Sequence, residues 1–350
     1  MARLARGTGI RLGRQGPFSA QISLTRRRWR PPWTIHACPC YPECPLRRRR
    51  RSQGSDQAGT GSRLVRRPGD GNRRQESLER TLIRPLLTDA HFHADDLALE
   101  QPSFAEDYRA LGVLGLASVH DGVGLATTRT ILDGASPYLI SFGLHPQLPV
   151  MDEADTLSGL AARGELAAIG ECGFDFFGDS PDRIRTPDNE KNQRAVFEFQ
   201  LELAGQRDLP LVLHFRKAND LLFSYARRMS RLPAVIIHSW PGPANEAMDF
   251  LHRCPRAKFS FGTGVLNGNK KSRSSAAALP ATAILVETDA PFQPPRASPE
   301  PGAPLTRAYS TFTDLPRIIS GIAGLRGITP EALSEQVNEN FMEVFGNALR

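Results

Sequence analysis

The stretch "LIRPLLTDAHFHADDL", residues 82–97, runs from an apolar segment into two histidines one residue apart, His91 and His93. On an extended strand, residues i and i+2 share a face, so both imidazoles leave the strand end in the same direction. A strand that finishes on two metal-ligand side chains raises the question of what the other strands carry at their ends.

Those strands are legible downstream. After 85–91 (PLLTDAH), short apolar runs recur at 113–120 (VLGLASVH), 138–144 (YLISFGL), 167–171 (AAIGE), 210–214 (PLVLH), 234–238 (AVIIH), 257–261 (AKFSF) and 283–289 (AILVETD). Helical segments lie between them, at about 104–111, 153–163, 217–229, 243–253 and 306–323, with 330–348 closing the chain. The clearest is 190–206, where Val196, Phe197, Gln200, Leu201 and Ala204 recur at helical intervals. Eight strand–helix units in roughly 265 residues predict an α/β fold, a (β/α)8 TIM-type barrel. A doubly wound open sheet is the alternative, but no glycine-rich dinucleotide or phosphate loop follows the first strand.

The net charge of +7 belongs to one end of the chain. Residues 1–80 hold 19 arginines, no lysine and five acidic residues, a charge of +14, which leaves −7 for the remainder. The barrel is therefore acidic, and a basic pI gives no argument for nucleic-acid binding by the body. Segment 1–82 is low in complexity and rich in Arg, Pro and Gly, and its composition predicts disorder. Arginine without lysine reads as biased coding and hence as an inert extension. A basic nucleic-acid arm and a targeting peptide are the rival readings. Residues 83–350 form the barrel domain. Of the five cysteines, Cys38, Cys40 and Cys44 stand in "HACPCYPEC" beside His36, without the paired C-x2-C spacing of a zinc knuckle. Cys172 and Cys254 are far apart, which suits a reducing cytoplasm. No run is long enough to span a bilayer, so no membrane association is expected.

In a barrel of this type the active site is built at the C-terminal ends of the strands. There the sequence sets His91 and His93 after the first strand, Glu171 at the end of the fourth, His214 after the fifth, His238 after the sixth and Asp289 after the eighth. Imidazole and carboxylate together suit divalent cations without any thiolate. Six groups exceed the three protein ligands of an open catalytic zinc and suit two metals, roughly 3.5–4 Å apart and bridged by a carboxylate such as Glu171. The expected cofactors are two divalent ions per chain: magnesium, manganese or zinc. Each residue alone has a bland explanation, as a helix cap, a turn former or a satisfied polar group. Six on one face do not. His145 in "SFGLHP" and Arg216 after His214 are expected to bind an anionic substrate. Lys217 is expected to point elsewhere, His120 carries no companion signal, and His252, inside a predicted helix, is expected at the surface.

The blocks "DAHFHADD", "SFGLHP", "AIGECGFDFF", "QRAVFEFQLELA", "LPLVLHFRKA", "IIHSW", "FSFGTGV", "ILVETDAPF" and "VNENFMEVFG" together resemble the TatD-like metal-dependent deoxyribonucleases, a branch of the metal-dependent hydrolases. The resemblance covers about residues 86–348. It implies one metal held by His91, His93, Glu171 and Asp289, and a second held by Glu171, His214 and His238. It also implies hydrolysis of DNA ends. A metal-activated water is expected to attack the phosphodiester, with Glu171 bridging the metals and Asp289 orienting that water or taking its proton. The chain departs from the pattern at "HSWPGP", where His-x-Phe-x-Gly is common, and at "QPPRASPEPGAPLTRAYSTF" after "ETDAPF". Two alternatives share these residues. One is a dinuclear hydrolase of a non-nucleic-acid ester, amide or lactone. The other is a non-catalytic nucleic-acid-binding barrel.

Overall fold

A computed structural model describes residues 87–133, 137–179, 183–296 and 307–349. Segment 1–82, with His36, Cys38, Cys40 and Cys44, lies outside the described residues. Eight strands form one parallel sheet in sequence order: β1 (Leu87–Phe92), β2 (Val113–Val119), β3 (Tyr138–Phe142), β4 (Ala168–Asp175), β5 (Leu211–Arg216), β6 (Val235–Ile237), β7 (Ala257–Phe261) and β8 (Ile284–Val286). Past β8 the chain returns to β1: the Asp289 amide donates to the His91 carbonyl at 2.9 Å and the His93 amide to the Ala290 carbonyl at 2.7 Å. The sheet is thus a nearly closed TIM barrel, and the open doubly wound alternative falls.

Strand composition explains the closure. Every residue of β2 (VLGLASV) is buried, as expected of a parallel strand covered on both faces. Alternate residues Ala90, Leu114, Leu116, Leu139, Ala168, Val212, Ile236 and Leu285 form one cluster with Phe341 and Phe345. This is the barrel interior, plugged at its lower end by the last long helix, Pro330–Phe345. β7 contributes Lys258 instead, whose Nζ donates to the Thr282 carbonyl and to Glu343 Oε2, both at 2.7 Å.

Helices fill the gaps as the sequence expects at Phe104–Leu111, Ala154–Ala162, Pro187–Arg207, Asn219–Met229 and Ala244–Arg253. The longest starts where Thr186 accepts from the Asn189 amide and Pro187 occupies the first turn. Within 306–323, the described chain forms a 3-10 turn, Phe312–Asp314, before a helix at Leu315–Arg326. Among the described residues, three further helices, Ala94–Glu100, Gly122–Leu132 and Lys270–Ala278, lie outside the segments that the sequence marks as helical.

Candidate metal centre

Two breaks in strand register aim the site. On β1 the pairing with β2 shifts between Asp89 and Phe92. Ala90 therefore packs inside the barrel, while Phe92 turns outward against Phe312 and Tyr108, with ring centroids 5.0 and 5.9 Å away. His91 and His93, on either side of Phe92, are left facing the mouth. On β4 the pairing with β5 shifts between Ile169 and Cys172. Strict alternation from the inward Ala168 would turn Glu171 outward. The irregularity, at Gly170 with φ of +133°, brings Glu171 inward instead. Glu171 does not end the fourth strand as expected: β4 continues to Asp175.

All six expected ligands are buried, and Glu171 stands at their centre. Its Oε2 lies 3.3 Å from His91 Nε2 and 3.7 Å from His93 Nε2. Its Oε1 lies 2.5 Å from His214 Nδ1 and 2.8 Å from His238 Nε2. Asp289 Oδ1 completes the first group, 3.7 Å from His91 Nε2 and 3.6 Å from His93 Nε2. The two imidazole nitrogens of that group are 3.1 Å apart, and those of His214 and His238 are 3.0 Å apart. Neutral imidazole lone pairs facing each other at such distances repel unless a proton or a cation lies between them. The donor set, of imidazole and carboxylate alone, fits hard or borderline divalent cations.

The electrostatics are those of a cluster that competes for protons. Burial drags His91 down to about 4, with the charge of His238 adding to it. For His93 burial acts in the same sense, but the bond to Asp289 and the charges of Glu171 and Asp289 outweigh it and push the ring up to about 9. His238 likewise rises to about 10, since Glu171 overcomes its burial. Burial alone would raise Glu171; the surrounding histidines hold it well below the usual carboxylate range.

Around the six stand residues that the sequence gives another role, leaves without a signal or does not mark. His145, expected to bind substrate, sits with its Nε2 3.4 Å from Glu171 Oε1 and groups with Glu171 and His214. His120, at the end of β2, has its Nε2 3.8 Å from Glu171 Oε2; it carries the same strand-end signal as the six candidate ligands. Asp175 Oδ2 pairs with His214 Nε2 at 3.0 Å and accepts from Gln147 Nε2 at 2.5 Å. It lies four residues after Glu171 on the same strand, the spacing that could have revealed it. Gln293, in the divergent rim, donates to Asp289 Oδ2 at 2.6 Å and to Ser239 Oγ at 2.5 Å. Arg216 leans toward Asp175, with 3.9 Å between Nη1 and Oδ2. In "HSWPGP", Trp240 is buried against Phe259 and donates to Ser275 Oγ at 3.2 Å, so this departure serves packing. His252 is exposed on its helix, away from the cluster.

The family model described as TatD-related DNase matches residues 88–346. The chain belongs to the TatD-related DNase family. A 3'-5' ssDNA/RNA exonuclease TatD from Erwinia billingiae is 35% identical over 199 residues, 55% of this chain and 71% of that protein. The crystal structure of a TatD homologue from Escherichia coli K12 superposes with a TM-score of 0.62 at 25% identity, covering 74% of this chain and 98% of the other. A TatD-family hydrolase from Entamoeba histolytica shares the fold, with a TM-score of 0.61 at 14% identity, covering 74% and 97%. This TatD-family chain is accordingly a metal-dependent hydrolase of phosphodiester bonds in nucleic acid, and its buried histidine–carboxylate groups fit divalent metal. Among the described residues, no helix is long and apolar enough to cross a membrane.

Proposed function

We propose that this chain is a cytoplasmic nuclease that shortens single-stranded DNA or RNA from the 3' end with two divalent cations. The observation that carries this reading is Glu171, whose two oxygens face two separate pairs of histidines. His91, His93, Glu171 and Asp289 would hold one cation, and Glu171, His214 and His238 the other. The cations, when bound, would neutralise phosphate charge and lower the pKa of a water at the site. Relatives named 3'-5' ssDNA/RNA exonuclease support this direction of cutting and this substrate class.

Asp289 acts as the base. Its carboxylate is held below its ordinary range despite burial, by the bond to His93 and by the charges of His238 and His91. Gln293 fixes its Oδ2, and that oxygen accepts the proton of the attacking water. His145 and Arg216 meet the non-bridging oxygens of the phosphate. A 5'-labelled single-stranded oligonucleotide tests the reading: with Mg²⁺ or Mn²⁺ it shortens progressively from its 3' end. Fragments confined to internal positions would contradict the exonuclease assignment, and lactone or amide turnover without nuclease activity would contradict the substrate class.

Two further outcomes follow from the geometry. Asp175 fixes the ring of His214, so Asp175→Asn, which keeps the shape but removes the charge, lowers metal affinity or kcat/KM by about 10–100-fold. Calorimetric Mn²⁺ titration beside steady-state kinetics measures it. The second outcome concerns pH. His93 and His238, raised to about 9 and about 10, carry protons at neutral pH that a cation must displace. Metal uptake therefore releases protons, and apparent affinity climbs as pH rises from 6 toward the raised values, where the protons are already lost. Calorimetry in buffers of different ionisation enthalpy reads the released protons, and a flat affinity with no release would contradict the ligand assignment.

A further inference from the structure

Just beyond β4, two consecutive phenylalanines part company. Phe176 is buried, whereas Phe177 is 42% exposed. Phe177 is nonetheless held in place: its amide donates to Asp175 Oδ1 at 2.8 Å, and the other oxygen of that carboxylate pairs with His214. The guanidinium carbon of Arg216 lies 4.1 Å from the ring centroid, and Lys217 Nζ lies 4.9 Å from it. Lys217 does not point away as an extended segment would direct it. Its φ of +53° breaks the strand, and both cations come to the same ring. A partly exposed aromatic ring set among cations, one carboxylate away from the metal cluster, is the combination used by surfaces that bind unpaired nucleic acid.

We propose that Phe177, with Arg216 and Lys217 beside it, is a base platform that stacks an unpaired base of the strand being cut while the two cations meet the adjoining phosphates. The inference rests on the nuclease reading of the metal cluster and adds a basis for strand selection. A base inside a duplex is already stacked on its neighbours and has no free face to offer. Stacking also tolerates any sequence, because every base has a π face.

The test uses the full chain with Mn²⁺ and a 5'-labelled single-stranded oligonucleotide. Phe177→Ala raises KM by about tenfold or more, with a smaller change in kcat, and Phe177→Trp stays near the wild-type value. A second oligonucleotide, whose 3'-terminal nucleotides are replaced by base-less propyl-spacer phosphates, is measured as a competitor of cleavage. It has no base to stack, so its Ki is the same for wild type and Phe177→Ala. An unchanged KM in Phe177→Ala would overturn the platform. So would an equal loss toward both oligonucleotides, which would mark a purely structural role. If the wild type cleaves no oligonucleotide with either Mg²⁺ or Mn²⁺, the nuclease reading falls and the platform with it. Wild-type cleavage with Phe177→Ala unaffected removes the platform alone.

Discussion

Glu171→Ala lowers nuclease activity by about 1,000-fold or more and strips the chain of bound metal. The size of the effect follows from what the carboxylate touches. One oxygen faces His91 and His93, and the other faces His214, His238 and His145. Removing it takes an anionic ligand from both groups at once and leaves the histidines with less negative charge to offset a cation. Glu171→Gln separates the causes. It keeps the shape and loses the charge, so its activity falls nearly as far. Metal content by mass spectrometry, read beside kcat/KM, measures both. Full activity in either variant would remove Glu171 from the chemistry.

Gly173→Ala strongly destabilises the barrel. At Gly173 φ is +142°, and an added Cβ would stand 2.1 Å from the His214 carbonyl oxygen on the neighbouring strand. Backbone cannot swing aside as a flexible side chain does, so β4 and β5 must part. Strain in that region costs about 1–3 kcal/mol, and overpacking adds a similar amount, giving a loss of about 4 kcal/mol. The denaturant midpoint measures it. Because β4 and β5 carry Glu171 and His214, activity falls with stability. A midpoint within about 0.5 kcal/mol of wild type would contradict the close packing of these strands.

The barrel was legible because parallel strands buried on both faces are written as short apolar runs, and all eight runs became strands. The meeting of the six candidate ligands was legible because strand ends open onto the mouth. Geometry between neighbours was harder to read. Glu171 faces inward through a register shift, which a two-residue period does not contain. Lys217 joins Arg216 through one left-handed residue, where an extended reading sent it away. The helices Gly122–Leu132 and Lys270–Ala278 are rich in Gly, Thr, Ser and Ala, so their burial leaves little apolar period. Gln293 lies where the chain departs from the family pattern, and its contact with Asp289 arises only in the folded rim.

On the proposed reading, the buried histidine–carboxylate cluster holds two divalent cations for phosphodiester hydrolysis. Stepwise addition of Mn²⁺ to the chelator-stripped full chain, with hydrolysis of a single-stranded oligonucleotide followed at each step, tests it most directly. Activity is absent without metal and reaches its plateau when two equivalents are bound. Cleavage by the stripped protein, or a plateau already reached with one equivalent bound, would contradict a two-metal centre.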